Sequence, residues 1–516
     1  MTGYILAAIL LPAMPCESLQ ALTLPSTTIT TAVMMPTGPL SSQPGALPPP
    51  PGVQTASAPP NGALGYYTNE RPLIVAAHCR VVAVIRPTPD SEIGMELWLP
   101  ANQWNGKFQM VGNGGWAGRP LTPFGALNQG YATAWTDTGH TGASGAFALG
   151  HPEKVVDFAY RAVHETAIKS KAIIAAYYGQ MPALSYFTGC STGGRQGLMA
   201  AQRFPEDFDG IVAAAPAQNM TGVATWRFSA EVSVRKDVVC TVPAAKLAMV
   251  NRAVLTRCDA LDGVVDQILN DPRQCRFDPS TLLCQGDDSD SCLTACQVAA
   301  LKMAYAPITT RNGVTIFPGL VPGGESRWSM FAAAGPEPGM ANDLDLFRFV
   351  VHQDADWDWR AFDAQRDSAL ASERVGFLNA TNPDLSAFKA RGGKLILYHG
   401  WNDGGNGGAI SPLTSIDYYE SVLRRMGPEQ SDWFRLFMVP GMAHCLGGPA
   451  PDQVNWMGAL ERWREAGIAP DRLTAARVNI NFQVDMTRPL CAYPQVPKYT
   501  GIGSTNDASN FVCRAP

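Results

Sequence analysis

Two short motifs, about 250 residues apart, each place a cysteine beside a polar residue suited to catalysis. The first reads GCSTGG and contains Cys190 and Ser191; the second reads GMAHCL and contains His444 and Cys445. A short apolar run, LSYFTG, leads into the first motif, and a helical pattern, GRQGLMAAQRFP, follows the serine. A strand, a tight turn carrying a serine and a helix form a nucleophile elbow. This feature predicts an alternating β/α arrangement around Ser191.

A serine nucleophile needs a histidine base and an acid that orients the histidine. His444 follows a predicted strand, WFRLFMVPG, and Asp403 ends another, GGKLILYHGWND. Serine, acid and histidine thus occur in the chain order of α/β-hydrolases. We predict that Ser191 attacks a carbonyl carbon, that His444 moves the proton and that Asp403 orients His444. Taken singly, Asp403 could instead cap a loop, and His444 could be a polar loop residue.

Two backbone N–H groups should stabilise the negative oxygen that forms in such a reaction. One is predicted at Thr192, directly after the nucleophile. The other is predicted in the glycine run GNGGWAG, at Gly115, with Gly114 as the alternative. On its own, a glycine run is more typical of an ordinary loop.

The two motif cysteines are expected to be bonded to each other. If the serine and the histidine lie within hydrogen-bond reach, Cys190 and Cys445 approach the Cα separation of a disulfide, about 4.4–6.8 Å. The bond would close a loop of roughly 255 residues, contribute about 4–5 kcal/mol of stability in the chain-entropy model and fix the catalytic geometry. The rival interpretation is a cysteine nucleophile, but a disulfide-bonded Cys190 has no thiolate.

The chain, at 516 residues, is too long for one simple core. Residues 16–217 and 385–516 alternate predicted strands and helices, which indicates an α/β domain interrupted along the sequence. Residues 218–384 are rich in cysteine, acidic residues, tryptophan and Gly-Pro turns, so we predict an inserted domain. The last 30 residues or so are predicted to be irregular.

The N-terminal segment, residues 1–15, is predicted to be a secretory signal. Residues 4–15, YILAAILLPAMP, are apolar but too few to span a bilayer, although no Lys or Arg precedes them; a buried first strand is the alternative. Twelve cysteines suggest disulfides and a secreted or periplasmic protein, rather than free thiols in the cytosol. The net charge of -5 argues against nucleic acid or an anionic membrane as the main partner.

Three motifs, GCSTGGRQG, HGWND and PGMAHC, together resemble those of the tannase and feruloyl esterase family, with the resemblance running from Cys16 to Cys513. It implies an α/β-hydrolase core with a lid domain, here residues 218–384, inserted between the nucleophile and acid strands. It also implies hydrolysis of aromatic (phenolic) carboxylic esters, such as feruloyl or galloyl esters, through an acyl-enzyme. Because the family includes a mono(2-hydroxyethyl) terephthalate hydrolase, that type of monoester is an alternative substrate. A non-catalytic binding protein on the same fold is the alternative of another class.

An acidic stretch of the predicted lid, CDALDGVVDQI, is a candidate calcium loop. Ca²⁺ takes about 6–8 oxygen ligands. The available oxygens are the carboxylates and carbonyls of Asp259, Asp262, Val264, Asp266 and Ile268. By spacing alone a solvated acidic loop is the better explanation, because the pattern is not that of an EF-hand. The resemblance, however, implies a structural Ca²⁺ at these positions.

Spacing alone does not settle which cysteines pair. The resemblance, however, implies most of the remaining disulfide bonds. The implied pairs are Cys16–Cys79, Cys258–Cys275, Cys284–Cys292 and Cys491–Cys513. Cys240 and Cys296 are left over and are candidates for a sixth bond.

A second histidine lies close to the predicted acid. His399 is four residues before Asp403, in the same segment at the end of a strand. We predict that His399 lines the substrate pocket; a structural histidine is the alternative.

Overall fold

Residues 13–39, 74–118, 124–235, 237–332, 341–404, 409–479, 481 and 483–516 are described by the structure, a computed structural model. The predicted signal segment, residues 1–15, lies mostly outside the described residues. Along the chain the strands are β1 (Thr27–Met35), β2 (Gly38–Pro39), β3 (Ile74–Val75), β4 (His78–Ile85), β5 (Ile93–Pro100), β6 (Lys107–Val111), β7 (Ala132–Thr136), β8 (Leu184–Cys190), β9 (Gly210–Ala214), β10 (Ile308–Thr309), β11 (Thr315–Phe317), β12 (Lys394–Gly400), β13 (Phe434–Val439), β14 (Arg472–Val478), β15 (Val484–Cys491), β16 (Val496–Tyr499) and β17 (Phe511–Arg514).

The helices lie between these strands. They are α1 (Phe124–Asn128), α2 (Pro152–Val156), α3 (Ala162–Tyr178), α4 (Thr192–Arg203), α5 (Met220–Arg235), α6 (Ala244–Cys258), α7 (Ala295–Tyr305), α8 (Ala341–Asp345), α9 (Ala364–Val375), α10 (Ser386–Ala390), α11 (Leu413–Met426) and α12 (Trp456–Ala466). In the part of the chain that the structure describes, none is both long and apolar enough to cross a membrane.

Nine of the strands form one large sheet, in the spatial order β1-β4-β5-β7-β6-β8-β9-β12-β13. From β7 to β13 neighbouring strands are parallel, whereas β1, β4, β5 and β7 pair antiparallel. The parallel strands are apolar and buried along most of their length; every residue of β9 is buried. Such continuous burial is typical of parallel strands covered on both faces.

Helices cover both faces of this sheet. On one face Phe187 shares an apolar cluster with Ile173 of α3 and Leu198 of α4. The next strand residue to the N-terminal side, Tyr186, shares a different cluster with Leu460 of α12. Because successive strand residues point to opposite faces, the sheet lies between two helical layers. The predicted α/β architecture is confirmed.

The segment between β9 and β12 adds no described strand to the large sheet. It consists of helices α5 to α10 and the hairpin β10–β11. One apolar cluster, including Trp226 and Trp328, belongs mainly to this segment. Another cluster joins Phe347 of the segment to Trp116 and Phe158 of the α/β core. The segment therefore has a core of its own and a second apolar contact with the rest of the protein.

The C-terminal region is more regular than the sequence predicts. Strands β14 and β15 form an antiparallel hairpin, and β16 pairs with β17. Pro489, in the middle of β15, lacks the N–H group of an ordinary strand residue, which hides the strand in the sequence pattern. The prediction of an irregular tail over the last 30 residues is wrong for β16, β17 and the end of β15, whereas β14 precedes that stretch.

All twelve cysteines are paired. The bonds are Cys16–Cys79, Cys190–Cys445, Cys240–Cys296, Cys258–Cys275, Cys284–Cys292 and Cys491–Cys513. They include the four pairs that the resemblance implies, the bond between the two motif cysteines, and the leftover pair as the sixth bond.

Candidate active site

Ser191 sits at a sharp turn between β8 and α4. Its backbone has φ 64° and ψ -122°, a conformation that a residue with a side chain adopts only under constraint. Its N–H donates to the carbonyl oxygen of Ala214 (3.0 Å), and its own carbonyl accepts from the N–H of Ala217 (3.1 Å). The adjacent end of β9 thus holds the strained turn in place.

Two glycines allow this turn to pack closely. A Cβ atom on Gly189 would lie 2.6 Å from the backbone carbonyl carbon of Gly193, and a Cβ atom on Gly193 would lie 2.9 Å from the carbonyl oxygen of Asn113. Neither position has room for a side chain, because the obstructing atoms belong to the backbone. The glycines of the G-x-S-x-G pattern therefore bring β8, α4 and the glycine run after β6 together.

The predicted base and acid are in contact. Nδ1 of His444 lies 2.7 Å from Oδ2 of Asp403, and the Asp403 side chain is fully buried. Burial alone would raise the pKa of Asp403, but His444 and His399 beside it lower that pKa well below its usual range. Asp403 is therefore a carboxylate, and His444 donates to it through Nδ1. The Nε2 atom of His444 is left to accept a proton.

A disulfide brings the serine and the histidine loops together. Cys190 and Cys445 are bonded, with their Cα atoms 5.9 Å apart. Their sulfur atoms and a ring nitrogen of His444 lie within 4.8 Å of one another. The bond thus ties the turn that carries Ser191 to the loop that carries His444, because each of the two residues is the immediate neighbour of a bonded cysteine. It also removes the thiol that the cysteine-nucleophile interpretation requires.

The two residues predicted to bind the oxyanion meet beside the serine. Thr192 is the first residue of α4, so its N–H has no acceptor within the helix. Its hydroxyl donates to the carbonyl oxygen of Gly115 (3.0 Å), which has φ +54°. Both residues line a cavity that also contains Ser191. The neighbouring Gly114 instead accepts a hydrogen bond from the N–H of Ala117 through its carbonyl.

His399 does not lie at the wall of this cavity. Its side chain is fully buried, and its Nε2 atom is 3.0 Å from Asp403. The prediction that His399 contacts the substrate therefore has no support in the geometry, because Asp403 stands between His399 and His444. The alternative, a histidine inside the protein, describes its position.

An ion pair in the cavity has no counterpart in the sequence prediction. Arg227 of α5 donates from Nε to Oδ2 of Asp343 of α8 (2.9 Å), and both residues line the same cavity as Ser191. Burial raises the pKa of Asp343 to about 6, although Arg227 opposes this shift. The partners are 116 residues apart, so no local pattern could have identified them. A larger cleft, of about 650 Å³, lies elsewhere on the inserted segment and contains none of the predicted triad.

A buried arginine lies one turn into α4, the helix that follows Ser191. Arg195 has no exposed surface and donates to the carbonyl oxygens of Ala159 (2.9 Å), Leu378 (3.1 Å) and Phe158 (3.2 Å). Burial lowers its pKa to about 10, and within the described ranges no carboxylate pairs with it. Arg195 thus joins α4 to the core segment Asp157–Arg161 and to the end of the inserted segment.

The sequence matches a known family model over most of its length. The model, described as tannase and feruloyl esterase, matches residues 79–514. The chain belongs to the tannase and feruloyl esterase family. The resemblance drawn from the three motifs is therefore confirmed.

Relatives within the tannase and feruloyl esterase family are similar to nearly the whole chain. An uncharacterized esterase of Xanthomonas campestris pv. campestris is 39% identical, over 96% of this chain and 91% of its own length. A probable feruloyl esterase B-1 of Aspergillus terreus is 33% identical, over 85% of this chain and 87% of its own. With the family match, these relatives show that the chain is a carboxylic ester hydrolase.

Solved structures of the family share the fold. Feruloyl esterase B from Aspergillus oryzae superposes with a TM-score of 0.83 at 30% identity, covering 97% of this chain and 99% of that one. Tannin acyl hydrolase from Aspergillus niger has a TM-score of 0.75 at 22% identity, covering 97% and 95%. The predicted α/β-hydrolase fold is confirmed, and an inserted lid is consistent with the segment between β9 and β12.

Proposed function

We propose that the protein is a serine esterase that hydrolyses aromatic, phenolic carboxylic esters such as feruloyl or galloyl esters. The observation that carries the proposal is the His444–Asp403 pair, brought to the strained Ser191 turn by the Cys190–Cys445 bond. The names of the relatives support the substrate class: they are feruloyl esterases and a tannin acyl hydrolase.

The first half of the reaction forms an acyl-enzyme. Oγ of Ser191 attacks the ester carbonyl carbon while Nε2 of His444 takes the hydroxyl proton. The carbonyl oxygen becomes negative and accepts hydrogen bonds from the N–H groups of Thr192 and Gly115. The bond to the alcohol then breaks, His444 gives its proton to the departing alkoxide oxygen, and the acyl group stays on Ser191.

The second half releases the acid. His444 takes a proton from water as the water oxygen attacks the acyl carbon, and the same N–H groups stabilise the second oxyanion. The bond to Ser191 breaks, and His444 returns the proton to the serine oxygen. Throughout, the Asp403 carboxylate keeps the proton of His444 on Nδ1 and stabilises the ring when it is positively charged.

The lining of the cavity beside Ser191 matches an aromatic acyl group in chemistry, but its volume of about 30 Å³ is smaller than a ring, so the cavity has to widen when such a group binds. Met220, Val223 and Leu346 supply apolar walls, and the Arg227–Asp343 ion pair adds a polar part. A mostly apolar site with a few placed polar groups is typical of small-molecule pockets. We propose that the ring of the acid packs against the apolar walls and that its hydroxyl groups lie toward the ion pair.

Three esters separate the candidate substrates. We expect kcat/KM on methyl ferulate or methyl gallate to exceed kcat/KM on mono(2-hydroxyethyl) terephthalate by at least about tenfold, a difference of about 1.4 kcal/mol in transition-state binding. Ser191→Ala is the matched control, since it keeps the cavity and removes the nucleophile. A tenfold preference for the terephthalate ester would replace the substrate assignment. Wild-type protein that neither hydrolyses these esters nor reacts with a fluorophosphonate would favour the non-catalytic binding protein.

Calcium binding at the acidic loop is a further part of the proposal. Oδ1 of Asp259 is buried without a hydrogen-bond partner, while its Oδ2 accepts from the N–H of Gln267 (2.9 Å). Burial raises the pKa of Asp262 to about 6, and the nearby charges of Asp266 and Asp259 add to the rise. A buried unpartnered oxygen and crowded carboxylates are the conditions that a hard cation relieves.

The loop does not form a closed ligand shell by itself. Among the residues that the structure describes, the three aspartates do not bring an oxygen each within 4.8 Å of one another. Arg488 also binds Oδ2 of Asp266. The residues that would hold Ca²⁺ are those predicted, Asp259, Asp262, Val264, Asp266 and Ile268, and the ion would stabilise the fold of the loop.

Chelation tests the calcium proposal. We expect EDTA to lower the melting temperature of the wild type by about 2–4 °C, because an ion at about 100 times its Kd adds about 2.7 kcal/mol and the protein is large. In Asp259→Asn the EDTA effect should be much smaller. The measurement is differential scanning fluorimetry with EDTA and then with excess Ca²⁺. A wild-type melting temperature that EDTA leaves unchanged would contradict calcium binding.

The disulfides favour an oxidising compartment. Six bonds include Cys240–Cys296 in the inserted segment and Cys16–Cys79 near the start of the chain, and such bonds persist outside the cytosol. We propose that the protein is secreted or periplasmic and acts on a small aromatic ester, without a nucleic acid or membrane partner.

A further inference from the structure

A second imidazole ring lies behind the proposed acid. His399, in β12, has a fully buried side chain. Its Nε2 atom is 3.0 Å from Oδ2 of Asp403, the same oxygen that lies 2.7 Å from Nδ1 of His444. One carboxylate oxygen therefore joins two histidines, one in the catalytic loop and one in the protein interior.

The surroundings of His399 determine where its proton lies. Its Nε2 atom contacts two acceptors, the Asp403 carboxylate and, at 3.1 Å, the carbonyl oxygen of Ile410. Its Nδ1 atom lies 2.7 Å from the hydroxyl of Ser415, which can donate. A neutral ring with the proton on Nε2 satisfies all three contacts. His399 thus donates to Asp403.

The groups that hold His399 are themselves buried and well anchored. Ser415 is in α11 and has no exposed surface, and Ile410 is in the segment leading to α11. The N–H of Ile410 also lies 3.3 Å from Oδ1 of Asp403. A row of hydrogen bonds therefore runs from α11 through His399 and Asp403 to His444.

We propose that His399 is a positioning residue for the ester hydrolysis: it holds the Asp403 carboxylate where that carboxylate orients His444. The inference rests on the proposed function, since it needs a working triad. Two donors on one carboxylate oxygen restrict rotation of the Asp403 carboxylate. Loss of the hydrogen bond from His399 therefore also weakens the one between Asp403 and His444. The effect is expected on kcat, because the side chain of His399 is fully buried and lies behind Asp403.

Two amide variants separate positioning from a purely structural role. In His399→Gln the amide nitrogen occupies the place of Nε2, so it can still donate to Asp403. In His399→Asn the shorter amide occupies the place of Nδ1, beside Ser415, and no donor reaches Asp403. Both variants put one neutral amide at the same buried position, and their melting temperatures check that both fold.

Two readouts are measured on each variant: steady-state hydrolysis of methyl ferulate, and the rate at which a fluorophosphonate labels Ser191. We expect His399→Asn to lose about ten- to a hundredfold in kcat with KM within about twofold of the wild type. We expect His399→Gln to have a kcat at least about tenfold higher than His399→Asn. The labelling rates should follow the same order, and they do not depend on which ester is the substrate.

The outcomes distinguish this inference from the proposed function. Equal kcat values and equal labelling rates for the two folded variants would overturn the positioning role. If His399→Asn does not fold, Ser415→Ala tests the same row of bonds, with an expected loss of about two- to tenfold in kcat and labelling rate. Wild-type rates in that variant would overturn the role as well. A wild-type protein that fluorophosphonate does not label at Ser191 would instead reject the proposed serine chemistry.

Discussion

Ser191→Ala is expected to lower kcat for aromatic ester hydrolysis by about 10⁴- to 10⁶-fold, because no other group can carry the acyl intermediate. The neighbouring Cys190 cannot replace the serine, since it is bonded to Cys445. His444→Ala should cost about as much, because the serine hydroxyl is a weak nucleophile unless a base takes its proton. The measurement is steady-state kinetics on methyl ferulate.

The double variant is the sharper part of this experiment. Since Ser191 and His444 act in one step, Ser191→Ala with His444→Ala should be hardly slower than either single variant. The melting temperature and the binding of free ferulate serve as controls for folding and for the cavity. Additive losses, or a Ser191→Ala enzyme with more than about a hundredth of wild-type kcat, would contradict the proposed mechanism.

The second large effect is expected from the bond between the two motifs. Cys190→Ala with Cys445→Ala opens a loop of 255 residues and should lower the free energy of unfolding by about 5 kcal/mol in the chain-entropy model. We also expect kcat to fall at least about a hundredfold at temperatures where the variant is folded, since small misplacements of catalytic groups have such effects. Kinetics and chemical denaturation measure the two losses separately.

A matched control removes a disulfide far from the serine motif in sequence. Cys284→Ala with Cys292→Ala opens a loop of 8 residues in the inserted segment, for which the same model gives about 2–3 kcal/mol. This variant should keep wild-type kcat. If the Cys190–Cys445 variant is folded and fully active, the bond stabilises the protein without positioning the catalytic groups.

The part of the site that could be predicted is the part built from local signals. Ser191 is marked by a buried strand, two glycines and a helix in direct succession, and these elements form where the sequence places them. Asp403 and His444 each follow an apolar strand, and the carboxyl ends of parallel strands meet at one edge of a sheet. Strand order along the chain was therefore enough to predict the contact between Asp403 and His444, and the Cys190–Cys445 bond ties that pair to the Ser191 turn.

The part that could not be predicted depends on contacts between distant elements. His399 and Asp403 are close in sequence, but the orientation of His399 depends on Ser415 of α11 and on the backbone of Ile410. The Arg227–Asp343 pair joins two helices of the inserted segment whose packing has no local signature. For the same reason the sequence suggested a substrate contact for His399, and the structure shows a buried hydrogen bond.

Arg195 makes helix α4 of the α/β core dependent on the inserted segment. Its guanidinium, enclosed in the interior, is solvated by three backbone carbonyls, and one of these, from Leu378, belongs to the inserted segment. A cation without enough oxygen partners is costly to bury. Deleting residues 218–384 would therefore not yield a stable minimal domain, because Arg195 of α4 would lose one of the carbonyl oxygens that surround its charge. Any other segment inserted in its place would have to supply a backbone carbonyl to Arg195 where Leu378 now does.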